Sequence, residues 1–178
     1  MKRIGIIPLF GLGLLFLTGL VLAGCQPQPI ATYYKGYQAD RDKIVSLDPA
    51  PSQGHWKTFD LGIDYQLKRQ GDNLKISGAA RHGLHYELTT SRILALDLYL
   101  YFLDKNDKVL ATTLLSSVRY DSPDAKIPFA DNLKIPAGAT AFAFGYEGRA
   151  RQDNGIDADH GGGGTEYYFN LPKRPENG

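Results

Sequence analysis

The sequence predicts an all-β fold: a single antiparallel β-sandwich of about seven strands. Apolar and polar residues alternate with a period of two over most of the chain after Trp56, as strands with one buried face require. The chain contains 11 Tyr but only one Met and one Trp, which favours sheets over a helical bundle. Turn-forming residues recur between the alternating segments, and no long helical pattern is found. We therefore expect two sheets that pack their apolar faces together.

The first two strands are predicted to form a hairpin. Residues 61–67 place an apolar side chain at every second position. Residues 70–73 are typical of a turn, and the alternation resumes at 74–78.

The segment 93–103 gives the strongest strand prediction. One predicted face carries Leu94, Leu96, Leu98, Leu100 and Phe102. The other face carries Asp97, Tyr99 and Tyr101. The apolar residues recur at every second position instead of every third and fourth, so the pattern excludes a helix. A polar turn at 104–108 then leads into a further strand at 109–118.

Prolines and glycines divide the last third of the chain into short segments. Strands are predicted at 127–129, 133–135 and 140–146. A last strand is predicted at 165–171, after four consecutive glycines.

The segment Leu98-Tyr99-Leu100-Tyr101-Phe102-Leu103-Asp104, with the turn and Val109 after it, resembles the strand–turn–strand signature of FxLYD-type immunoglobulin-like domains. The strand at 76–78 and the segment 135–138 are also similar to that family, so the resemblance covers about residues 58–147. The chain departs from the family at 81–92 and in the glycine-rich segment. The resemblance implies an immunoglobulin-like sandwich that binds or assembles without catalysing a reaction.

The N-terminus resembles the signal peptide and lipobox of bacterial lipoproteins. Two basic residues precede an apolar stretch at 4–21, which ends in Leu22-Ala23-Gly24-Cys25. The resemblance implies cleavage after residue 24, acylation of Cys25 and attachment to a membrane. Gln26 follows the cysteine where Asp would mark inner-membrane retention, which implies the outer membrane. The alternative is an uncleaved membrane-spanning helix, which Pro8 and several glycines disfavour.

These features divide the chain into a signal peptide at 1–24, a lipidated polar tether at 25–55, a β-sandwich at 56–172 and a tail at 173–178. Loss of Lys2 and Arg3 with the signal peptide changes the formal charge from +1 to −1. A near-neutral chain without a basic patch gives no electrostatic reason to expect nucleic acid as a partner.

Two histidines are the main metal-ligand candidates. His82 and His85 lie close to a carboxylate, Glu87, and imidazole and carboxylate groups are zinc ligands. Residues three apart on a strand point to opposite faces, so the two histidines converge only if Gly83 bends the chain. Otherwise the segment is a turn or an exposed edge between strands. The expected function is non-enzymatic, because the sequence shows neither a nucleophile elbow nor a phosphate-binding loop. A metal-dependent hydrolase that uses the two histidines is the alternative.

A second set of candidates is rich in oxygen ligands. Asp153, Asp157 and Asp159 suit Ca²⁺, although their spacing does not match an EF-hand. The glycines at 161–164 favour a solvated loop instead. Calcium binding is kept as an alternative, and no other cofactor is expected.

Aromatic side chains are the candidates for ligand contact. We predict that Trp56, Tyr99 and Tyr101 face a ligand, and Tyr167 belongs to the same group of sheet tyrosines. Tyr99 and Tyr101 alternate with the leucine face, so they either lie on a wet sheet or pack under the tether.

These observations lead to one functional hypothesis and one alternative. The hypothesis is a lipid-anchored cell-envelope protein whose sandwich is a non-catalytic binding or assembly module. The alternative is a carbohydrate-binding or calcium-dependent sandwich that recognises envelope polysaccharide.

Overall fold

The structure is a computed structural model and describes residues 34–48, 50, 52–152 and 164–175. Nine strands lie in this part of the chain. They are β1 (Val45–Ser46), β2 (Gln53–Lys57), β3 (Leu61–Gln70), β4 (Asn73–His82), β5 (Thr90–Leu103), β6 (Val109–Asp121), β7 (Ile127–Lys134), β8 (Ala141–Gln152) and β9 (Thr165–Asn170). A 3₁₀ turn at Arg41–Lys43 and a short helix, α1 (Leu84–Thr89), accompany them. Within the described ranges there is no bilayer-spanning helix.

The predicted antiparallel sandwich is confirmed. The first sheet has the strand order β2-β3-β4-β7. In the second sheet β6 pairs with β5 and β5 with β8, while β1 and β9 pair with opposite ends of β8. Strands β3, β4 and β7 correspond to A, B and E of an immunoglobulin-like sandwich, and β6, β5, β8 and β9 to C′, C, F and G. The chain adds β1 and β2 before this seven-strand arrangement.

Alternation along the strands builds the core between the two sheets. Four inward positions of β3 and the inward Leu74, Ile76 and Ala80 of β4 are buried, and they face a row of aromatic rings from the second sheet. The largest of these fully buried rings are Phe102, Phe142, Phe144 and Tyr146. Burial of each such side chain stabilises the fold by about 1.5–3 kcal/mol.

A β-bulge near the start of β5 changes which residues face the core, so the predicted face is wrong there. Ile93, and not Leu94, points into the core: Ile93 is fully buried, whereas Leu94 is half-buried. Opposite β8 the register shifts between Ile93 and Ala95, so Leu94 is the extra residue. From Leu96 onward the predicted faces of the strand hold.

The segment predicted as a polar tether is partly built into the domain. The backbone N–H of Gly36 donates to the carbonyl of Val109 at 2.8 Å, and the N–H of Val109 donates to the carbonyl of Tyr37. The ring of Tyr34 meets the ring of Tyr101 edge-on, with 5.8 Å between the centroids. The described part of residues 34–55 therefore covers the Tyr101 end of the outer face of the second sheet and supplies β1 and β2.

Three predicted element boundaries also change. Residue 56 is not a domain boundary, because β2 begins at Gln53 and pairs with β3 along its whole length. The segments 127–129 and 133–135 belong mainly to one strand, β7, since its pairing with β4 continues through Asp131. The segment 82–87, for which a turn or an exposed strand edge was the alternative to a metal site, contributes residues 84–87 to the helix α1 (Leu84–Thr89).

Candidate functional site

A partly buried polar cluster lies at the end of the sandwich where α1 meets the β2–β3 connection. Tyr146 donates a hydrogen bond of 2.7 Å from its Oη to Asp60 Oδ2. Since the phenol has a single proton, the Thr58 hydroxyl donates to Tyr146 Oη, also at 2.7 Å. Tyr86 Oη lies 3.4 Å from Asp60 Oδ1 and 3.3 Å from Glu166 Oε1. We call Thr58, Asp60, Tyr86, Tyr146 and Glu166 the Asp60 cluster.

Burial keeps the phenols of this cluster protonated. Desolvation raises the pKa of Tyr86, and the carboxylates of Asp60 and Glu166 raise it further. Desolvation also raises the pKa of Tyr146. Both phenols therefore act as hydrogen-bond donors to carboxylates and not as bases or nucleophiles at neutral pH.

His82 borders this cluster at the end of β4. Its Nε2 lies 2.8 Å from Tyr168 Oη, and its buried Nδ1 has no hydrogen-bond partner. Desolvation lowers the pKa of His82 to about 4, although the charge of Asp121 partly opposes the shift. The side chain is therefore neutral at neutral pH.

His85 approaches the same cluster from α1. Its Nε2 is buried, has no hydrogen-bond partner and lies 4.0 Å from Asp60 Oδ1. The chain bends at Gly83, which precedes the helix, and a β-carbon there would stand 2.7 Å from the carbonyl oxygen of Phe59. This bend brings both histidine rings against Tyr86, with centroids 5.7 Å and 4.1 Å from its ring. Even so, no group of three or more His, Cys, Asp or Glu side chains suited to a metal ion occurs among the described residues.

An exposed apolar patch covers this end of the molecule. Leu84 and Leu88 are one helical turn apart on α1, and both side chains are largely exposed. Phe59 is also exposed and stacks on the ring of His85 with 4.2 Å between the centroids. We call Phe59, Leu84 and Leu88 the end patch. The buried side of the same helix carries Tyr86, so α1 joins the patch to the Asp60 cluster.

Two of the three predicted ligand-facing aromatics lie in the interior. Trp56 is 4% exposed, meets Phe144 edge-on and donates from Nε1 to the carbonyl of Lys43 at 3.0 Å. Tyr101 is 1% exposed because the N-terminal segment covers it. Both are core residues, which corrects the prediction. Tyr99 is half-buried, and its Oη donates to Glu147 Oε1 at 3.2 Å.

A depression of about 290 Å³ lies on the outer face of the second sheet beyond Tyr99. Arg119 bridges both oxygens of Asp97, with N–O distances of 2.9 Å and 3.0 Å. Burial alone would raise the pKa of Asp97, but hydrogen bonds from Arg119 and Ser117 outweigh it and hold the pKa below its usual value. Arg149 and Tyr167 complete the rim of this depression.

A wider and shallower concavity of about 740 Å³ lies on the outer face of the first sheet. Small side chains such as Ser77 and Ala79 form its floor, and Asp64 and Lys126 lie on its border. It has no cluster of like charges or exposed aromatic rings.

Four predicted site residues fall outside the described part of the chain. These are the lipidation candidate Cys25 and the calcium candidates Asp153, Asp157 and Asp159.

The sequence interpretation missed Asp60, Tyr86 and Glu166. Asp60 and Glu166 are far apart in sequence, and no spacing relates them before the strands are paired. Phe169 was also missed, although its position two residues after Tyr167 in the last strand is a signal that both rings share a face.

Comparison of the chain with protein-family models, with curated proteins and with solved structures finds no match.

Proposed function

We propose that this protein is a lipid-anchored cell-envelope protein, most consistent with the outer membrane, whose sandwich is a non-catalytic binding or assembly module. The lipobox-like Leu22-Ala23-Gly24-Cys25 after an apolar stretch supports the anchor. Acyl chains on Cys25 would hold the chain on the membrane surface, because several buried chains make the attachment effectively stable.

The exposed end patch carries the binding part of this proposal. The N-terminal segment joins the domain beside Val109, at the β5–β6 hairpin. The end patch lies at the other end of β5, which extends about 40 Å at 14 residues. A chain anchored through its N-terminus would thus present Phe59, Leu84 and Leu88 away from the anchor. Exposed apolar side chains grouped in this way favour contact with an apolar surface of another envelope protein.

The anchor is tested by replacing the acylated residue. We expect Cys25→Ala to leave an unprocessed precursor and to abolish incorporation of labelled palmitate, and globomycin treatment of the wild type to leave an unprocessed precursor. Gln26→Ala is the matched control and should be processed and labelled normally. A Cys25→Ala protein that is still labelled, or a mature N-terminus at another residue, would contradict the anchor.

The end patch is tested by a photocrosslinking side chain placed at Leu88 in the membrane-bound protein. We expect a discrete crosslinked envelope protein that disappears when Leu84→Glu is added. Leu114→Glu, an exposed leucine on β6, should leave the crosslink unchanged. A crosslink that survives Leu84→Glu, with unfolding unchanged by the variant, would refute the patch as the docking surface.

The absence of catalysis is part of the proposal. It is supported by the hydrogen bond from Tyr146 to Asp60 Oδ2 and by the position of the Tyr86 phenol between Asp60 and Glu166, which suit a structural role. The competing hypothesis, a hydrolase that uses His82 and His85, predicts stoichiometric zinc in the purified protein. Metal analysis of the wild type and of His85→Ala distinguishes the two.

Recognition of envelope polysaccharide is a second candidate function. The observation that favours it is a pair of exposed rings on β9: Tyr167 is 67% exposed and Phe169 is 66% exposed. Both point away from the core, on the same face of an edge strand. The two rings are separate from the calcium candidates, so we expect chelation to leave binding to these rings unchanged.

A further inference from the structure

Three arginines lie together on the outer face of the second sheet. Arg92 and Arg151 are directly opposite each other on β5 and β8, and Arg149 lies two residues from Arg151 on the same face. All three are exposed. Among the described residues, no carboxylate oxygen lies within 4.0 Å of their side-chain nitrogens. Like charges directly opposite each other in a sheet are destabilising, so an anion bound between them would stabilise this arrangement.

Aromatic rings continue this face toward the sheet edge. Tyr167 on β9 is the direct partner of Arg149, and Phe169 is the partner of Glu147. The depression lined by Asp97, Arg119, Arg149 and Tyr167 lies beside these rings. We call Arg92, Arg149, Arg151, Tyr167 and Phe169 the arginine face. It combines guanidinium forks, which match carboxylates bidentately, with flat apolar surfaces next to them.

The chemistry of the whole face limits the class of ligand. Asp97 and Glu147 lie within the same surface and would repel a dense polyanion such as nucleic acid. A sugar chain with carboxylate groups fits better, because its carboxylates match the arginines and its hydroxyls find acceptors on Asp97 and Glu147. The rings of Tyr167 and Phe169 can pack against the C–H faces of the sugars, while the tyrosine hydroxyl stays in water.

We infer that the arginine face binds an acidic polysaccharide, with Arg149 and Arg151 holding sugar carboxylates and Tyr167 stacking on a neighbouring ring. This inference rests on the second candidate function and names its ligand class and its site. It does not depend on the anchor or on the end patch.

The test is a titration of the full-length protein in detergent micelles with oligogalacturonate. We expect Arg149→Ala to weaken binding about tenfold or more, because a hydrogen bond to a charged group contributes about 1.5–3 kcal/mol. Tyr167→Ala should weaken binding as well, and Tyr167→Phe should retain it. Arg81→Ala on the outer face of β4, and Tyr120→Ala, are the matched controls and should bind as the wild type does. Binding should also weaken with added salt.

Four results would overturn the inference. The first is no binding of oligogalacturonate, and the second is an equal loss in Arg81→Ala, which would indicate unspecific charge attraction. The third is equal binding of a neutral galacto-oligosaccharide of the same length that is unaffected by Arg149→Ala. This result would retain polysaccharide recognition as the function and reject its acidic specificity. The fourth is preferential binding of phosphatidylglycerol vesicles through Arg149, which would assign the face to lipid headgroups.

Discussion

Tyr168 Oη lies 2.8 Å from His82 Nε2, so a hydrogen bond joins the last strand of the second sheet to the end of β4 in the first. The bond lies in the interior, and His82 must be neutral to be tolerated there. The stability of the fold therefore depends on the imidazole of His82 staying unprotonated.

Acid should weaken the fold through His82. Burial lowers its pKa to about 4, whereas the same imidazole in the unfolded chain has a pKa near 6.5. Between these values the unfolded state binds more protons, so the contribution of His82 to stability is lost as pH falls from about 6.5 to 4. We expect a loss on the order of 2–3 kcal/mol over this window, measured by urea unfolding at several pH values.

The control for this prediction is the exposed His55, whose Nδ1 lies 2.7 Å from Asp64. His55→Gln should show the wild-type pH dependence, whereas His82→Gln should lose most of it. Equal slopes in both variants would show that His82 is not the source of the acid sensitivity.

Trp56 should be a major source of stability. Its ring is buried against Phe144 and Tyr146, and its N–H is satisfied by the carbonyl of Lys43. We expect Trp56→Ala to lower the free energy of unfolding by about 3–5 kcal/mol. Phe59→Ala, which removes an exposed ring three residues later, should cost less than about 1 kcal/mol. Similar losses in denaturant titrations would show that the two rings are not buried differently.

Tyr101 and Tyr146 should respond oppositely to loss of their hydroxyls. Tyr101 Oη is buried without a hydrogen-bond partner, so Tyr101→Phe should leave stability unchanged or raise it by about 1 kcal/mol. Tyr146 Oη donates to Asp60 and accepts from Thr58, so Tyr146→Phe should cost about 1–3 kcal/mol. Thermal unfolding of the two variants side by side measures the contrast, and the opposite order would contradict it.

Gly148 should not tolerate a side chain. A β-carbon on this residue would overlap the phenol ring of Tyr168 on the neighbouring strand. We expect Gly148→Ala to cost about 1–3 kcal/mol, since overpacking forces the ring off its position. Gly62→Ala is the matched control on β3, where a β-carbon would stand 3.5 Å from the ring of His55, an ordinary contact. If both variants unfold at the same denaturant concentration, Tyr168 can move aside freely.

The alternation of apolar residues predicts the sandwich and most buried positions, because side-chain burial on a strand follows a period of two. It fails at Leu94, since a bulge adds one residue and reverses the faces before it. The alternation also does not decide whether Tyr101 is buried or faces water, because residues 34–44, which cover it, are distant in sequence and mostly polar. Such packing is a tertiary contact that no local pattern contains.

The candidate site is less predictable than the fold. The Asp60 cluster depends on the pairing of strands that are remote in sequence, so neither composition nor spacing indicates it. Gly83 shows what local reasoning can achieve. The sequence predicts that His82 and His85 converge only if Gly83 bends the chain. Gly83 does bend the chain, but the two histidine rings then pack against Tyr86.

The docking of Tyr34 on Tyr101 sets how far the domain can stand from a lipid on Cys25. A free tether over the whole of 25–55 would allow a separation of about 100 Å when fully extended. With the chain fixed from Tyr34 onward, only nine peptide steps separate the anchor from the sandwich, and their extended length is about 30 Å. Under the proposed anchorage this short linker keeps the β5–β6 hairpin close to the bilayer. A partner of the end patch would then bind roughly one domain length farther from the membrane.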